Sequence, residues 1–523
     1  MLVRLAGLCV TTALLASAPA VAAGPAALTP ATMPRVATVD ERFQSFNIEM
    51  VEVTGGRFWA PYKSATTPPS SAPKADTPAG MDPSLFRYRK PLALANPKLR
   101  ALAAALGPTY IRVSGTWANS TFFQDSEAPA PATPPSGFGG ALTRAEWKGV
   151  VDFTHAVDAK IVTSFAINAP VRDANGVWTP IEAQKFLAYT HKIGGTIAAA
   201  ELINEPSFAS MGGAPIGYNA DTYASDWKVF VPYIRKAEPH MIILGPGSVG
   251  EGGLLAGATG MQIIHSEDML RNEGPAPDAF SYHFYGGVSQ RCARSGVGAG
   301  TTIDQALSAD WLNRTLHDET FYAALRDRFT PGKPMWVTET GETACGGDPW
   351  ASTFADSFRY LNQLGALARQ GIQVVIHNTL AASDYAVIDE DTLTPRPNYW
   401  SALLWRRLMG TTVLDAGPSP TPDLHVYAQC LRGTPGGVAI LAINADRTVA
   451  HSLTVPLKSQ RYTLTAAELT SSTVALNGMP LQLGPGDTLP QLIAIPAAAG
   501  EISFAPASIT FLAAPNAANP ACK

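Results

Sequence analysis

Two glutamates, Glu205 in Leu202-Ile203-Asn204-Glu205-Pro206 and Glu339 in Met335-Trp336-Val337-Thr338-Glu339, each close an apolar run of the strand type. The first run reads as a strand over 201–206, and Pro206, which lacks an N–H, ends its ladder. In the second, alternation predicts that Met335, Val337 and Glu339 share one face and Trp336 and Thr338 the other. With Met335 and Val337 filling a barrel interior, Glu339 emerges over the mouth, where parallel barrels keep their chemistry. Two carboxyl groups flanking a glycosidic bond suit acetal hydrolysis: one protonates the leaving oxygen, the other attacks or activates water. A gap of about 5 to 5.5 Å gives retention of anomeric configuration, and a wider gap gives inversion. For a lone Asn-Glu-Pro the bland alternative is an acid that caps the next helix. The second strand-end glutamate argues for chemistry.

Side chains so far apart in sequence meet only if strands and helices alternate around a closed sheet. Strand-like runs stand at 46–49, 110–114, 160–165, 201–206, 240–245, 279–285, 334–339 and 373–378. Helical patterns separate most of them, including 96–106, 143–158, 181–193, 218–238, 311–328 and 353–370. This alternation predicts an α/β fold, a (β/α)₈ TIM barrel. Pro-rich stretches at 64–80 and 128–140 read as surface loops, because the pattern resumes directly after each. Beyond Gly410, short strands at 424–429, 438–443, 451–455, 461–465 and 502–512 are broken by Gly, Pro, Asn and Asp, which predicts a C-terminal all-β sandwich. A strand at 35–39 precedes the first barrel strand and is available to that sandwich. The expected division is a leader over 1–23, an N-terminal segment over 24–44 pairing with the sandwich, a barrel over 45–412 and the sandwich over 413–523.

The 523 residues are 46% hydrophobic with a formal net charge of −4, so nothing global marks a nucleic-acid or polybasic membrane partner. Arg4, an apolar run over 8–15 and the small residues Ala20-Val21-Ala22-Ala23 form a secretory signal too short to span a bilayer. The chain is therefore expected to be secreted or periplasmic, to act as a monomer and to keep no membrane segment after cleavage. Cys9 leaves with the signal, and Cys292, Cys345, Cys430 and Cys522 remain. An even number in an exported chain predicts disulfides, with the pairing open. Cys430 and Cys522 bracket the sandwich, and a bridge between them would stabilise it by roughly 4 to 5 kcal/mol in the chain-entropy model. No Cys/His group has zinc-ligand spacing, and no metal or cofactor is expected.

Glutamates at the ends of strands four and seven resemble those of the clan of retaining (β/α)₈ glycosidases. The resemblance implies that Glu205 is the acid/base, Glu339 the nucleophile and Asn204 the holder of the sugar 2-hydroxyl. His283 and Tyr285 match the clan's His-x-Tyr at the end of strand six, where the tyrosine steadies the nucleophile. A closer likeness runs from Trp336 through WVTETGETACGGDPWASTFADSFRYLNQLGALARQGIQVVIHNTL and on through SDYAVIDEDTLTPRPNYWSALLWRRLMGTTVL. These stretches resemble glycoside hydrolase family 79, the heparanase and β-glucuronidase family; weaker likeness reaches YIRVSGTWANSTFF and the sandwich. That resemblance implies an N-terminal strand in the sandwich, a Cys430–Cys522 pair and a glucuronic acid before the cut. It places the sugar carboxylate on Tyr385 and on backbone N–H groups of Gly346-Gly347.

The chain departs from the family where an extra residue separates Glu339 from the glycine pair and Cys345 replaces a tyrosine. Cys345 is then a partner for Cys292, tying two mouth loops together. Glu342 is a rival carboxylate, but it falls beyond the strand, and the Trp336 spacing selects Glu339. Arg172, Arg291 and Arg294, in loops after barrel strands, are candidates for contacting sulfate on a heparan-type polymer. The expected activity is retaining hydrolysis of β-D-glucuronosyl linkages in glucuronic-acid-containing glycans such as heparan sulfate. Alternatives are an exo-β-glucuronidase on small glucuronides, a clan-related xylosidase type, and a catalytically silent carbohydrate-binding protein.

Overall fold

The computed structural model describes residues 26–62, 83–209, 211–253, 263–272, 274–293 and 301–523. The expected leader over 1–23, the loop over 64–80 and Arg294 lie outside the described residues. Eight parallel strands close a barrel: β1 (Gln44–Glu49), β2 (Thr109–Ser114), β3 (Ala159–Ser164), β4 (Ile197–Glu201), β5 (Ile242–Val249), β6 (Ala279–Tyr285), β7 (Met335–Gly341) and β8 (Val374–His377). β8 pairs with β1 to complete the ring. Outside it run α1 (Pro97–Leu106), α2 (Arg144–Ala156), α3 (Ile181–Lys192), α4 (Ala220–Ala237), α5 (Ala309–Phe329), α6 (Phe354–Arg369) and α7 (Pro397–Leu408). Local sequence sets several starts. Asn96 caps α1 with Pro97 in the first turn, and Thr143 with Glu146 forms a capping box on α2.

The barrel interior has an apolar floor and a polar ceiling. The floor is Tyr110, Val162, Ala199, Leu244, Ala279, Trp336, Val374 and Ile376, one packed cluster from seven strands. Above it stand Asn47, Arg112, Glu201, Ser281 and Thr338, all buried and bonded to one another.

The structure differs from the sequence expectation at β4 and β7. β4 is the alanine-rich Ile197–Glu201, not 201–206, and the chain has left the sheet by Leu202. Alanine is a poor strand former, so the neighbouring Leu-Ile pair carried the apolar signal although the buried sheet position admits alanine. On β7, Trp336 rather than Met335 and Val337 faces the interior; those two pack outward with the helix layer. Glu339 still reaches the mouth because the ladder slips. Val337 pairs with Tyr282 while Glu339 pairs with the next residue, His283, leaving Thr338 as an extra residue. A bulge of this kind re-aims a side chain by one position.

The C-terminal strands β9 (Met409–Leu414), β10 (Leu424–Leu431), β11 (Val438–Asn444), β12 (His451–Val455), β13 (Ser459–Thr465), β14 (Gly500–Phe504) and β15 (Ser508–Ala514) build two sheets. The Arg35–Thr38 strand adds antiparallel to β9, and Ala26–Ala27 adds to β12. Leu424, Val426, Ile440, Leu453, Phe504 and Leu512 form the core between the sheets. Cys430 and Cys522 are joined, as are Cys292 and Cys345. The sandwich docks through Tyr427, whose ring lies where a Cβ on Gly365 would stand and whose hydroxyl donates to Asn362 Oδ1 at 2.7 Å. No described helix is long and apolar enough to cross a membrane.

Candidate active site

Arg112 organises the mouth. Its guanidinium is fully buried and donates to Glu201 Oε2 at 2.8 Å, Asn204 Oδ1 at 2.7 Å and Glu339 Oε2 at 2.9 Å. Glu201 also accepts from Ser281 and Thr338 hydroxyls. Burial would raise the Glu201 carboxyl, but Arg112, then His283 and these hydrogen bonds outweigh it and hold the group below its ordinary value. Glu201 is thus the buried counter-ion that keeps the guanidinium in place while one of its forks reaches Glu339.

Glu339 is met on both oxygens, by Arg112 on Oε2 and by the Tyr285 hydroxyl on Oε1 at 2.7 Å. Asn378 at the end of β8 donates to the Tyr285 and Tyr385 hydroxyls at 3.0 and 3.1 Å. Glu205 begins a short turn after β4 with φ 50°, in the left-handed region, which swings its carboxyl back over the mouth. Asn119 secures that segment by bonding both the N–H and the carbonyl of Asn204. A carboxylate oxygen of Glu205, one of Glu339 and a ring nitrogen of His283 all lie within 4.8 Å of one another.

His283 links Arg112 to Glu205 with a defined polarity. Arg112 can only donate, so at 3.3 Å His283 Nε2 accepts, the ring hydrogen sits on Nδ1, and Nδ1 donates to Glu205 Oε1 at 3.1 Å. The ring's lone pair therefore points at a cation already present, and this trio is preset for hydrogen bonding rather than for holding a metal. A second acidic group with metal-compatible spacing, Asp423, Asp446 and His451, lies in the sandwich, half-buried. Burial raises the Glu205 carboxyl above its ordinary value, opposed by the hydrogen bond from His283 and reinforced by the Glu339 charge.

The residues expected to cradle the sugar carboxylate come from two loops, those after β7 and β8. Gly346 and Gly347 both have φ near +83°, and a Cβ on Gly347 would stand 3.3 Å from Tyr385 Cβ. Tyr385 is 2% exposed, with its hydroxyl on Asn378 beside Glu339. Glu342 is turned away: it is fully buried and accepts from the Asp348 N–H and the Thr343 hydroxyl, 2.8 Å each. Two of the arginines considered for sulfate are committed elsewhere. Arg172 forks onto Asp226 at 2.6 and 3.0 Å with its side chain 4% exposed, and Arg291 pairs with Asp384 at 2.9 Å.

A family model described as Glycosyl hydrolase family 79, N-terminal domain, matches residues 90–365. The chain belongs to glycosyl hydrolase family 79. It is a glycoside hydrolase, and the matched segment of this family 79 chain holds Arg112, Asn204, Glu205, His283, Tyr285, Glu339 and the glycine pair. It is 30% identical over 384 residues to heparanase-like protein 1 of Arabidopsis thaliana, covering 69% of this chain and 66% of that one. With heparanase of Mus musculus it shares 27% over 507 residues, 86% of this chain and 90% of the other. Among solved structures, a 4-O-α-L-rhamnosyl-β-D-glucuronidase from Fusarium oxysporum 12S has the same fold, at TM-score 0.61 and 14% identity over 92% of this chain and 99% of its own.

Three mouth residues of this family 79 site were not singled out from sequence. Arg112 carried a readable signal, a charge inside an otherwise apolar strand, which buried strands rarely tolerate unpaired. Asn378 gave none beyond its place at a strand end. Glu49 closes β1 and is 3% exposed; burial, then the Glu339 charge, pushes its carboxyl well above the ordinary value. Its Oε2 has no partner among the described residues and occupies the space a Cβ on Gly115 would take, which explains the glycine at φ 89°.

Proposed function

We propose that this family 79 glycosidase is a retaining β-glucuronidase in which Glu339 is the nucleophile and Glu205 the acid/base. The observation that carries the reading is that an oxygen of Glu205 and an oxygen of Glu339 lie within 4.8 Å of each other, which fits the carboxyl separation of about 5 to 5.5 Å used in double displacement better than the roughly 6.5 to 9.5 Å of inversion. Glu339 attacks the anomeric carbon as the C–O bond to the leaving group breaks, and Glu205 delivers its proton to the departing oxygen. Glu205 then takes a proton from water, whose oxygen attacks the same carbon and frees Glu339. Arg112 and Tyr285 orient the attacking carboxylate. His283 occupies Glu205 Oε1 as donor, so the transferable proton resides on Oε2. Asn204, its Oδ1 taken by Arg112, offers its amide hydrogens to the sugar 2-hydroxyl.

Tyr385, Gly346 and Gly347 support a uronate in the subsite before the cut, where backbone N–H groups and a hydroxyl receive the carboxylate without a mobile countercharge. Arg172 and Arg291 are spent on Asp226 and Asp384, so neither of these two is offered to a sulfate group. Two disulfides suit a secreted or periplasmic setting, and one chain supplies the whole constellation, consistent with a monomer.

A panel of 4-nitrophenyl β-D-glucuronide, glucoside and xyloside, with heparan sulfate and hyaluronan analysed by product length, tests the reading. Glucuronide is expected to exceed glucoside and xyloside in kcat/KM by at least about 100-fold. A preference for xyloside would move the enzyme to the xylosidase type, and no turnover of the glucuronide or of either polymer would overturn the proposed specificity. The pH profile follows from Glu205. The acid is competent when protonated, so kcat/KM falls as pH rises through its raised pKa. The alkaline limb is expected above the ordinary glutamate value of about 4.3, and a midpoint at or below that value would remove Glu205 from the acid role.

A further inference from the structure

We propose that Arg291 is a positioning residue for the substrate carboxylate, acting as a strut that fixes the Asp384-Tyr385 turn against the glycine pair. The proposal rests on the glucuronidase reading above and adds what sets the cradle's shape. Around the barrel, β6, β7, β8 and β1 are consecutive, and the loops after β6, β8 and β1 meet at this one side chain. Arg291, in the loop after β6, pairs with Asp384 Oδ2 in the loop after β8 and donates to the Ala60 carbonyl in the loop after β1. Its guanidinium stacks 3.9 Å over the Tyr62 ring, and the Tyr62 N–H reaches the same Asp384 oxygen at 3.3 Å.

The loop after β7 is tied to both ends of the strut. Cys292, next to Arg291, is bonded to Cys345, next to Gly346, and the Ser383 hydroxyl donates to the Gly346 carbonyl at 2.8 Å. Arg396 grips the Ser383–Ala386 turn from its other side through three carbonyl oxygens. The Arg291 side chain is only 9% exposed and its charge is matched by Asp384, which fits a brace rather than an open anion hook. Asp384 directly precedes Tyr385, so a shift at the strut moves the hydroxyl that stands beside Asn378 and Glu339. An error of about 1 Å in a recognition group is enough to lose binding geometry.

The test compares Arg291→Met, Asp384→Asn and the double variant on 4-nitrophenyl β-D-glucuronide and β-D-glucoside. Each single variant is expected to lower the glucuronide-to-glucoside ratio of kcat/KM about 10-fold, carried by KM for the glucuronide, with kcat changed less than about 3-fold. The double variant is expected to match the singles, because both remove one strut. A direct ligand role predicts the opposite sign for Asp384→Asn: releasing the guanidinium would lower KM for the glucuronide, and that result overturns the proposal. An unchanged ratio, or a loss in kcat shared by both substrates, overturns it as well. Should Arg291→Met fail to fold, the isosteric Asp384→Asn carries the test alone. Failure of the glucuronidase reading is seen separately, in the unaltered protein's substrate preference before any variant is compared.

Discussion

Replacing Glu339 by Gln is expected to lower kcat on an activated β-glucuronide by about 10⁴-fold or more while glucuronic acid still binds. The amide keeps the shape of the carboxylate but cannot form the glycosyl ester on which a double displacement depends. It also changes the mouth's electrostatics. Glu339 accepts from Arg112 on one oxygen and from Tyr285 on the other, and a carboxamide can keep only one of these as an acceptor without turning its NH₂ towards a donor. Binding of product by calorimetry separates loss of chemistry from collapse of the site. Turnover within about 10-fold of the unaltered enzyme would transfer the nucleophile's role elsewhere. Glu342 is no substitute, because it is fully buried on the Asp348 N–H and the Thr343 hydroxyl.

Replacing Arg112 by Met is expected to abolish turnover and to destabilise the fold by about 3 to 5 kcal/mol, the usual consequence of stripping one partner from a buried charged group. The cation is fully buried between Glu201, also fully buried, and Glu339, 7% exposed on its side chain. Its removal leaves Glu201 with only the Ser281 and Thr338 hydroxyls, releases Asn204 Oδ1 and frees the acceptor nitrogen of His283. Arg112→Lys preserves the charge but not a fork that reaches several acceptors at once, so it is expected to recover part of the stability and little of the activity. Denaturation midpoints and kcat, measured on both variants, check this. An Arg112→Met protein as stable as the parent would show that Glu201 does not need its counter-ion.

Much of this architecture could be read from residue order alone, for identifiable reasons. Strand and helix alternation, the strand-end glutamates and the turn-rich tail all reflect local chemistry, and the Arg35–Thr38 strand stood out because no barrel strand preceded it. The shift of β4 to Ile197–Glu201 was hidden because three alanines give almost no strand signal. The inversion of β7 was hidden for a different reason: alternation assumes an unbroken ladder, and the extra residue at Thr338 is visible only in the pairing with β6. Glu339 consequently reaches the mouth by a route opposite to the one its sequence spacing implies. The commitment of Arg172 to Asp226 and of Arg291 to Asp384 could not be read either, because those partners lie 54 and 93 residues away and come together only through the tertiary fold.

In the proposed mechanism Glu339 attacks the carbon from which Glu205 releases the leaving group, which requires the two carboxyl groups to lie close together. Proton NMR of the first sugar released from 4-nitrophenyl β-D-glucuronide tests that separation directly. The predicted result is β-glucuronic acid appearing first and the α-anomer following only by mutarotation. Initial release of the α-anomer would contradict it, since inversion needs carboxyl groups about 6.5 to 9.5 Å apart with water between them.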